Sequence, residues 1–247
     1  VKTDRIYVNP SIAYRPDDKT EIVVEMDYMN NNVTPDRGTV NLADGDTEAL
    51  YQMPKGKFLG FATDNAHSET FNFSTSVTRK LTDKLKLRAA FISSSYESES
   101  IGAALAKPKE KGWEFRNRTL SKSEREDLNK VFQFDFIGAE VMTGFLKHTF
   151  QVGFDWKESN VTTTSYGARN IDQINVLENI NNFLPATVDG ENFSLAEVDP
   201  IVNTITPTFG LMAQDVITIN KYVKAHLGIR YSRINGSTEE ADIDAWN

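Results

Sequence analysis

Apolar and polar residues alternate strictly through most of the chain, which is the period-2 mark of β-strands with one apolar face. Over residues 20–30, Ile22, Val24, Met26 and Tyr28 fall on one face, while Glu21, Glu25 and Asp27 fall on the other. The same rule sets Phe71, Phe73 and Val77 against Asn72, Ser74 and Ser76, and Leu85, Leu87, Ala89 and Phe91 against Lys86 and Arg88. It sets Phe132, Phe134 and Phe136 against Gln133 and Asp135, and Phe150, Val152, Phe154 and Trp156 against Gln151, Asp155 and Lys157. Val223, Ala225, Leu227, Ile229 and Tyr231 stand opposite Lys224, His226, Arg230 and Ser232. With the weaker segments 5–14 and 206–219, the pattern predicts about eight strands, many of about ten residues or more, against the five or six usual in globular sheets. Helical periodicity is nearly absent.

The connections alternate in length. Turn chemistry rich in Pro, Gly, Asp and Asn marks short turns at residues 15–19, 82–84, 138–144 and 220–221. Between them lie long irregular connections over residues 31–65, 98–125 and 159–205. Loops beyond about 15 residues are uncommon in compact soluble domains, so three of them at one end of a meander need a reason. An antiparallel up-and-down transmembrane β-barrel supplies it, having short turns on one side, long loops on the other, and strands apolar outside and polar inside.

Mean hydropathy of −0.43 fits such a wall, because half of every strand faces a wet lumen. The longest apolar run, near residues 101–106, is far short of the roughly 20 residues of a membrane-spanning helix. Tyr28, Trp156 and Tyr231 fall near the outer strand ends and Tyr14 near an inner end, where an aromatic girdle belongs. Two local misfits are Pro10, which cannot donate to a ladder, and Asp215, on the apolar face of Phe209, Leu211 and Ala213. A soluble β-sandwich with one solvated face gives the same alternation and is the bland alternative.

Particular segments carry a resemblance. Residues 5–20, with Pro10, Tyr14 and the Pro16-Asp17-Asp18-Lys19-Thr20 turn, resemble a strand-turn-strand signature of ferrichrome-type TonB-dependent siderophore receptors. His148-Thr149 with Gly153-Phe154-Asp155, then Gln214-Asp215 and Gly228-Ile229-Arg230-Tyr231, are similar to later strands of that family, in the same order. The resemblance implies a barrel of about 22 antiparallel strands closed by an N-terminal plug, with ferric siderophore uptake energised through TonB in the outer membrane of a Gram-negative bacterium. Residues 1–247 then read as a partial barrel domain of about eight strands, the plug absent from this chain. Both ends, Val1-Lys2-Thr3-Asp4 and Asp244-Ala245-Trp246-Asn247, look cut. A passive porin or adhesion barrel without a plug shares the alternation and remains a competing reading.

Composition narrows the chemistry. Among 247 residues, 39% are hydrophobic and 25% charged, which excludes disorder, and the absence of cysteine excludes disulfide scaffolds and thiolate sites. A net charge of −8 argues against a nucleic-acid partner. The histidines His67, His148 and His226 lack metal-ligand spacing, and no nucleophile elbow or nucleotide loop is present, so no enzyme is expected.

The middle connection interleaves Lys107, Lys109, Lys111, Arg116, Arg118, Lys122 and Arg125 with Trp113 and Phe115. This reads either as attraction of an anionic ferric chelate or of lipopolysaccharide phosphates, or as a solvated loop diluted by Glu110, Glu114 and Glu124. The last connection is acidic, with Asp172, Glu178, Asp189, Glu191, Glu197 and Asp199 against Arg169; calcium is conceivable and solvated charge is the simpler reading. The family lines its external mouth with loop aromatics that contact the siderophore. The resemblance therefore nominates Tyr51, Phe58, Tyr96, Trp113 and Tyr166, joined by Phe115, Arg116 and Arg118 of the basic run. Residues 29–38 carry none of the aromatics that ferrichrome receptors have in the corresponding loop, which leaves the siderophore open. Lumen-parity Lys86, Arg88, Lys224 and Arg230 are candidates to hold the plug by salt bridges. No cofactor is expected beyond the ferric siderophore as transported ligand; lipid and lipopolysaccharide are the expected surroundings.

Overall fold

The computed structural model describes residues 2–36, 38–108, 111–188, 191–192, 195 and 201–241. Arg37, Lys109, Glu110, Asp189, Glu197, Asp199, the side chain of Glu191 and the C-terminal stretch 242–247 lie outside the described residues.

Thirteen strands follow in chain order: β1 (Thr3–Val8), β2 (Ser11–Asp17), β3 (Thr20–Val33), β4 (Asn65–Lys80), β5 (Leu85–Ala106), β6 (Phe115–Thr143), β7 (Leu146–Ser165), β8 (Arg169–Asn175), β9 (Thr187–Val188), β10 (Glu191–Asn192), β11 (Ile201–Thr218), β12 (Lys224–Ile234) and β13 (Ser237–Ala241). One 3₁₀ turn, Glu48–Gln52, sits in the first long connection. Eleven strands form one antiparallel sheet in the order β1-β3-β4-β5-β6-β7-β11-β12, with β2 also on β3, β8 on β6 and β13 on β11. The sheet is a single layer with no second sheet packed on it among the described residues, so the sandwich alternative gives way.

Three ranks of the sheet are interrupted, and proline accounts for two of the breaks. Between β1 and β2, Pro10 keeps the register by accepting from Met26 N at 3.0 Å. Between β12 and β13, the break lies opposite Pro207 of β11, whose carbonyl still accepts from Asn235 N at 3.0 Å. Counted by rank, the sheet has the eight columns the alternation predicts.

Register puts the apolar residues in line across the sheet. Tyr28 pairs Phe71, Phe91 pairs Phe132, Phe132 pairs Trp156, Phe154 pairs Leu211 and Leu211 pairs Tyr231. Rings on this face meet at Phe136–Phe150 (5.6 Å between centroids) and Phe154–Phe209 (5.1 Å). The band is uncovered: Ile229 is 76% exposed and Val152 50%. An apolar surface of that extent demands a non-aqueous neighbour, and a bilayer is the one the alternation fits.

Expected boundaries move in several connections; the last, predicted over 159–205, gives up residues 159–165 to β7, 169–175 to β8 and 201–205 to β11. The turn predicted over 138–144 is tighter: β6 runs to Thr143 and β7 starts at Leu146, with Gly144 at φ 62°. Ala139 and Glu140 form a bulge instead, Glu140 taking φ 55°. The middle connection, predicted over 98–125, shrinks to residues 107–114, because β5 has 22 residues and β6 has 29. At about 3.3 Å per residue these strands reach far beyond a lipid-facing band of about 25 Å. Past that band neither face needs to be apolar, so the hydrophobic alternation fades while the backbone ladder continues unbroken from Leu85↔Gly138 to Ala106↔Asn117.

Candidate functional site

The projecting β5–β6 hairpin organises the far end of the sheet. Its two faces are fixed by the same alternation that sets the apolar band: Phe91, Ala103 and Leu105 of β5 and Phe132, Leu120, Arg118 and Arg116 of β6 lie on one face. Tyr96, Ser98 and Ser100 of β5 and Phe115, Asn117, Thr119, Arg125 and Asp127 of β6 lie on the other, continuous with the polar face below.

The first and last long connections fold onto the face that is apolar lower down. Phe61 packs against Ala103 and Leu120, and Met53 and Leu59 pack against Ile174 and Val176. Above the end of β4 the edge of β5 loses its partner strand, and the buried Asp64 carboxylate caps it by accepting from Ala103 N at 3.1 Å. Arg118 joins the two connections. Its side chain is 1% exposed and pairs with Asp172, which is 36% exposed. It donates from Nε to Asp172 Oδ1 (2.7 Å), from Nη2 to Asp172 Oδ2 and to Asn181 O (2.8 Å), and from Nη1 to Gly60 O (3.3 Å). The guanidinium also lies over the Phe61 ring, 4.1 Å from its centroid. Asn182 completes the join by donating to Gly60 O (2.6 Å) and Phe58 O (3.0 Å), while Ala62 N donates to Asn182 O (2.8 Å).

The basic run is therefore not an array of free cations. Arg116 is buried, which pushes its pKa down, and it donates to the carbonyls of Trp113, Phe115 (2.6 Å) and Asn41 (2.6 Å). Lys107 lies 4.4 Å from the Trp113 ring centroid and Lys111 4.9 Å from that of Phe115. Lys122 pairs with Glu124 (2.6 Å) and Glu99 (3.3 Å), and the Glu124 hydrogen bond is the main cause raising its pKa. Arg125 pairs with Asp127 through two bonds of 2.8 and 2.9 Å.

The eight residues nominated from sequence thus separate. Tyr96 and Phe115 stand on the polar face. Arg116, Arg118 and Tyr166 belong to the opposite face; Tyr166 donates to Glu124 Oε1 (3.2 Å), lies under Lys122, and has its pKa raised chiefly by burial. The picture of Arg116 and Arg118 presenting charge to solvent is corrected: one scaffold buries both. Trp113 sits at the hairpin tip. Tyr51, 79% exposed, and Phe58 border a cleft of about 580 Å³ in the first connection, with Asp36, Lys55 and Lys57.

Lower on the polar face a ladder of side chains crosses the strands. Asn72 donates to Asp27 (2.8 Å), Gln151 to Asp135 (2.9 Å), Gln214 to Gln151 (3.1 Å) and Arg230 to Asp155 (2.9 Å). Arg230 of β12 reaches Asp155 of β7 over the intervening β11 because Gly210 lies between; a Cβ there would stand 2.6 Å from Asp155 Oδ2 and against the guanidinium. Gly153 likewise leaves room for Asp135 Oδ1. Alternation alone does not reveal such reach, though glycines at polar-face positions of three adjacent strands are the visible trace.

Two further sequence features resolve. Asp215, the misfit on the apolar face, meets His148 on the neighbouring strand, Nδ1 to Oδ2 at 2.6 Å, while its Oδ1 is buried without a partner. His67 hydrogen-bonds Asn32 at 3.0 Å, and His226 is exposed. Among the described residues no group of three His, Asp or Glu is placed to hold a metal ion, and Asp172 of the acidic connection is committed to Arg118.

Comparison with known proteins adds three findings. A family profile described as "TonB dependent receptor-like, beta-barrel" matches residues 9–247. No curated protein matches the sequence significantly. Among solved structures, the chain is similar to the ferric-catecholate import receptor Fiu of E. coli K12 in its closed form (TM-score 0.73, 18% identity, 96% of this chain and 35% of that one). It is similar to the siderophore receptor PiuA of Acinetobacter baumannii (0.76, 16%, 98% and 37%) and to the ferripyoverdine receptor of Pseudomonas aeruginosa (0.76, 13%, 96% and 32%). The chain spans about a third of the length of these structures, and at such identities the likeness is one of fold.

Proposed function

Because the chain belongs to the TonB-dependent receptor β-barrel family, we propose that it is an arc of the wall of an outer-membrane receptor for a ferric siderophore. The observation that supports this most is the two-faced sheet: an uncovered apolar band outside, a hydrogen-bonded polar ladder inside, short turns at one end and long connections at the other. The solved structures of like fold include receptors for ferric catecholate, ferric preacinetobactin and ferripyoverdine.

In this reading residues 1–247 are a partial barrel domain. The complete wall has about 22 strands and surrounds a plug that lies outside this sequence, in the outer membrane of a Gram-negative bacterium. Transport is non-covalent and needs no resident cofactor: the ferric siderophore is cargo. The far-end wall and loops capture it, and force delivered by TonB to the plug opens the path. Lys86, Arg88, Lys224 and Arg230, on the polar face, meet the plug; Arg230 is already held by Asp155. The apolar band meets lipid, and the charged strip above it meets lipopolysaccharide.

Of the nominated ligand residues, Tyr96 and Phe115 face the lumen and Trp113 stands at the rim, so these three contact the chelate. Tyr51 and Phe58 take part from the first connection. Arg116, Arg118 and Tyr166 act at one remove, by fixing the scaffold that carries the others. The test is titration of the full-length receptor with a panel of ferric siderophores, followed by intrinsic fluorescence. Trp113→Ala is expected to weaken binding of the recognised chelate by about tenfold, the loss of one aromatic contact of 1–1.5 kcal/mol. Unchanged affinity removes the hairpin tip from the site.

A further inference from the structure

We infer that the apolar face carries, near its short-turn end, a site for one phospholipid with a primary ammonium headgroup, the ammonium on Asp215 and an acyl chain in the groove above it. The inference rests on the reading of the chain as an outer-membrane wall and goes beyond it, since a uniform apolar band asks only for hydrocarbon.

The sequence puts a carboxylate where lipid belongs, and the register fixes its depth. Asp215 stands on the apolar face three residues from the end of β11 at Thr218, between Phe150 of β7 and Leu227 of β12. Three residues are about 10 Å along a strand, or about 7 Å across a bilayer at the tilt of a barrel wall, which is the depth of the boundary between headgroups and acyl chains. Exposed aromatics mark the same level: Phe145 and Tyr222 stand in the turns that lead into β7 and β12, the two neighbours of β11.

A carboxylate on a lipid-facing surface is costly unless donors meet it. His148, one rank nearer the turn, meets half of it, Nδ1 donating to Oδ2 at 2.6 Å. Oδ1 is buried and has no donor among the described residues. With Nδ1–H committed to the carboxylate, Nε2 of a neutral imidazole is a further acceptor, so the pair offers a negative charge and two acceptors. An ammonium with three N–H groups is the complement. A quaternary ammonium brings the charge without the donors, and a hydroxyl headgroup brings a donor without the charge.

Next to Asp215, on the side of the bilayer interior, the wall is shaped for a chain. Ala213 is the following apolar-face residue of β11, and the larger side chains of Val152 and Ile229 stand on either side of it, bounding with Phe150 and Leu227 a groove of about 380 Å³ that includes Asp215. Headgroup toward the short turns and chain toward the interior is the polarity of an inner-leaflet phospholipid. Of the cations at this end, Lys147 is paired with Glu140 and Lys224 has lumen parity. Lys221, over the Tyr222 ring, suits the phosphate that all phospholipids share and does not choose between headgroups.

The experiment adds phosphatidylethanolamine, phosphatidylcholine and phosphatidylglycerol with identical acyl chains, in equal amounts, to the delipidated full-length receptor in detergent, and identifies the retained lipid by native mass spectrometry. The expected result is one tightly held phosphatidylethanolamine, preferred about tenfold over phosphatidylcholine, the worth of one charge-assisted hydrogen bond, and more strongly over the anionic phosphatidylglycerol. Asp215→Asn is expected to erase the preference while the barrel stays folded, as read from its gel mobility before and after heating. Ala213→Leu, which fills the groove, is expected to lower retention of all these lipids alike. Equal retention of the ethanolamine and choline lipids, preference for the glycerol lipid, or an ethanolamine preference that survives Asp215→Asn overturns the inference and leaves the receptor reading standing. A full-length protein absent from the outer-membrane fraction overturns both.

Discussion

Arg118 has its guanidinium between two connections that are far apart in sequence, and removing it leaves Asp172 and Asn181 O short of a donor, while Gly60 O keeps the one from Asn182. Breaking a buried pair costs about 3–5 kcal/mol, and the low end applies because Asp172 is 36% exposed. Arg118→Met should therefore accelerate amide exchange by about 100-fold, near 3 kcal/mol, at residues 58–62 and 181–183 together, with the strands below the girdle unchanged. Unchanged exchange at either segment contradicts the join. A sequence shows that residue 118 is basic but not which way it points. Parity carried 14 residues from Phe132 gives its face, but only once β6 is known to be continuous over that distance. His148 and Asp215 were each visible as oddities; their meeting at 2.6 Å depends on the register of two strands and was not.

At the scale of elements, strands were legible wherever one face met lipid and illegible beyond it. Residues 20–30, 71–77, 85–91, 132–136 and 150–156 all lie within observed strands. The outer parts of β5 and β6 are polar on both faces, with Glu97, Glu99, Glu124 and Glu126 on one and Ser98, Ser100, Ser121 and Ser123 on the other, so no hydrophobic period marks them and they read as loop. The breaks at Pro10 and opposite Pro207 follow from the missing amide donor, and Pro10 was recognisable in advance for that reason. Polar-face glycines are the element-level feature with the clearest consequence. Gly210→Val should displace the Arg230–Asp155 bridge and destabilise the refolded full-length receptor in detergent by about 1–3 kcal/mol. Gly236→Ala, where a Cβ meets only Thr206 Oγ1 at 3.7 Å, serves as the neutral control. Equal thermal unfolding of the two variants contradicts the strand-spanning role of Arg230.

For the whole molecule, two faces of one sheet divide the work. The apolar band needs lipid, the polar ladder suits a wet lumen, and the loop scaffold on the outer face leaves the other side of the β5–β6 hairpin uncovered. The loop asymmetry and the alternation together made the barrel readable without any catalytic motif. The disposition of the basic run was not readable, because burial and pairing of charge are decided by tertiary contacts. The central claim, energised uptake of a ferric siderophore, is tested most directly by accumulation of iron-55-labelled siderophore in cells that depend on the full-length receptor, with and without a protonophore. The account predicts saturable accumulation that stops when the proton gradient collapses, while surface binding persists. Accumulation that continues after collapse contradicts it, and would mark the barrel as a passive pore.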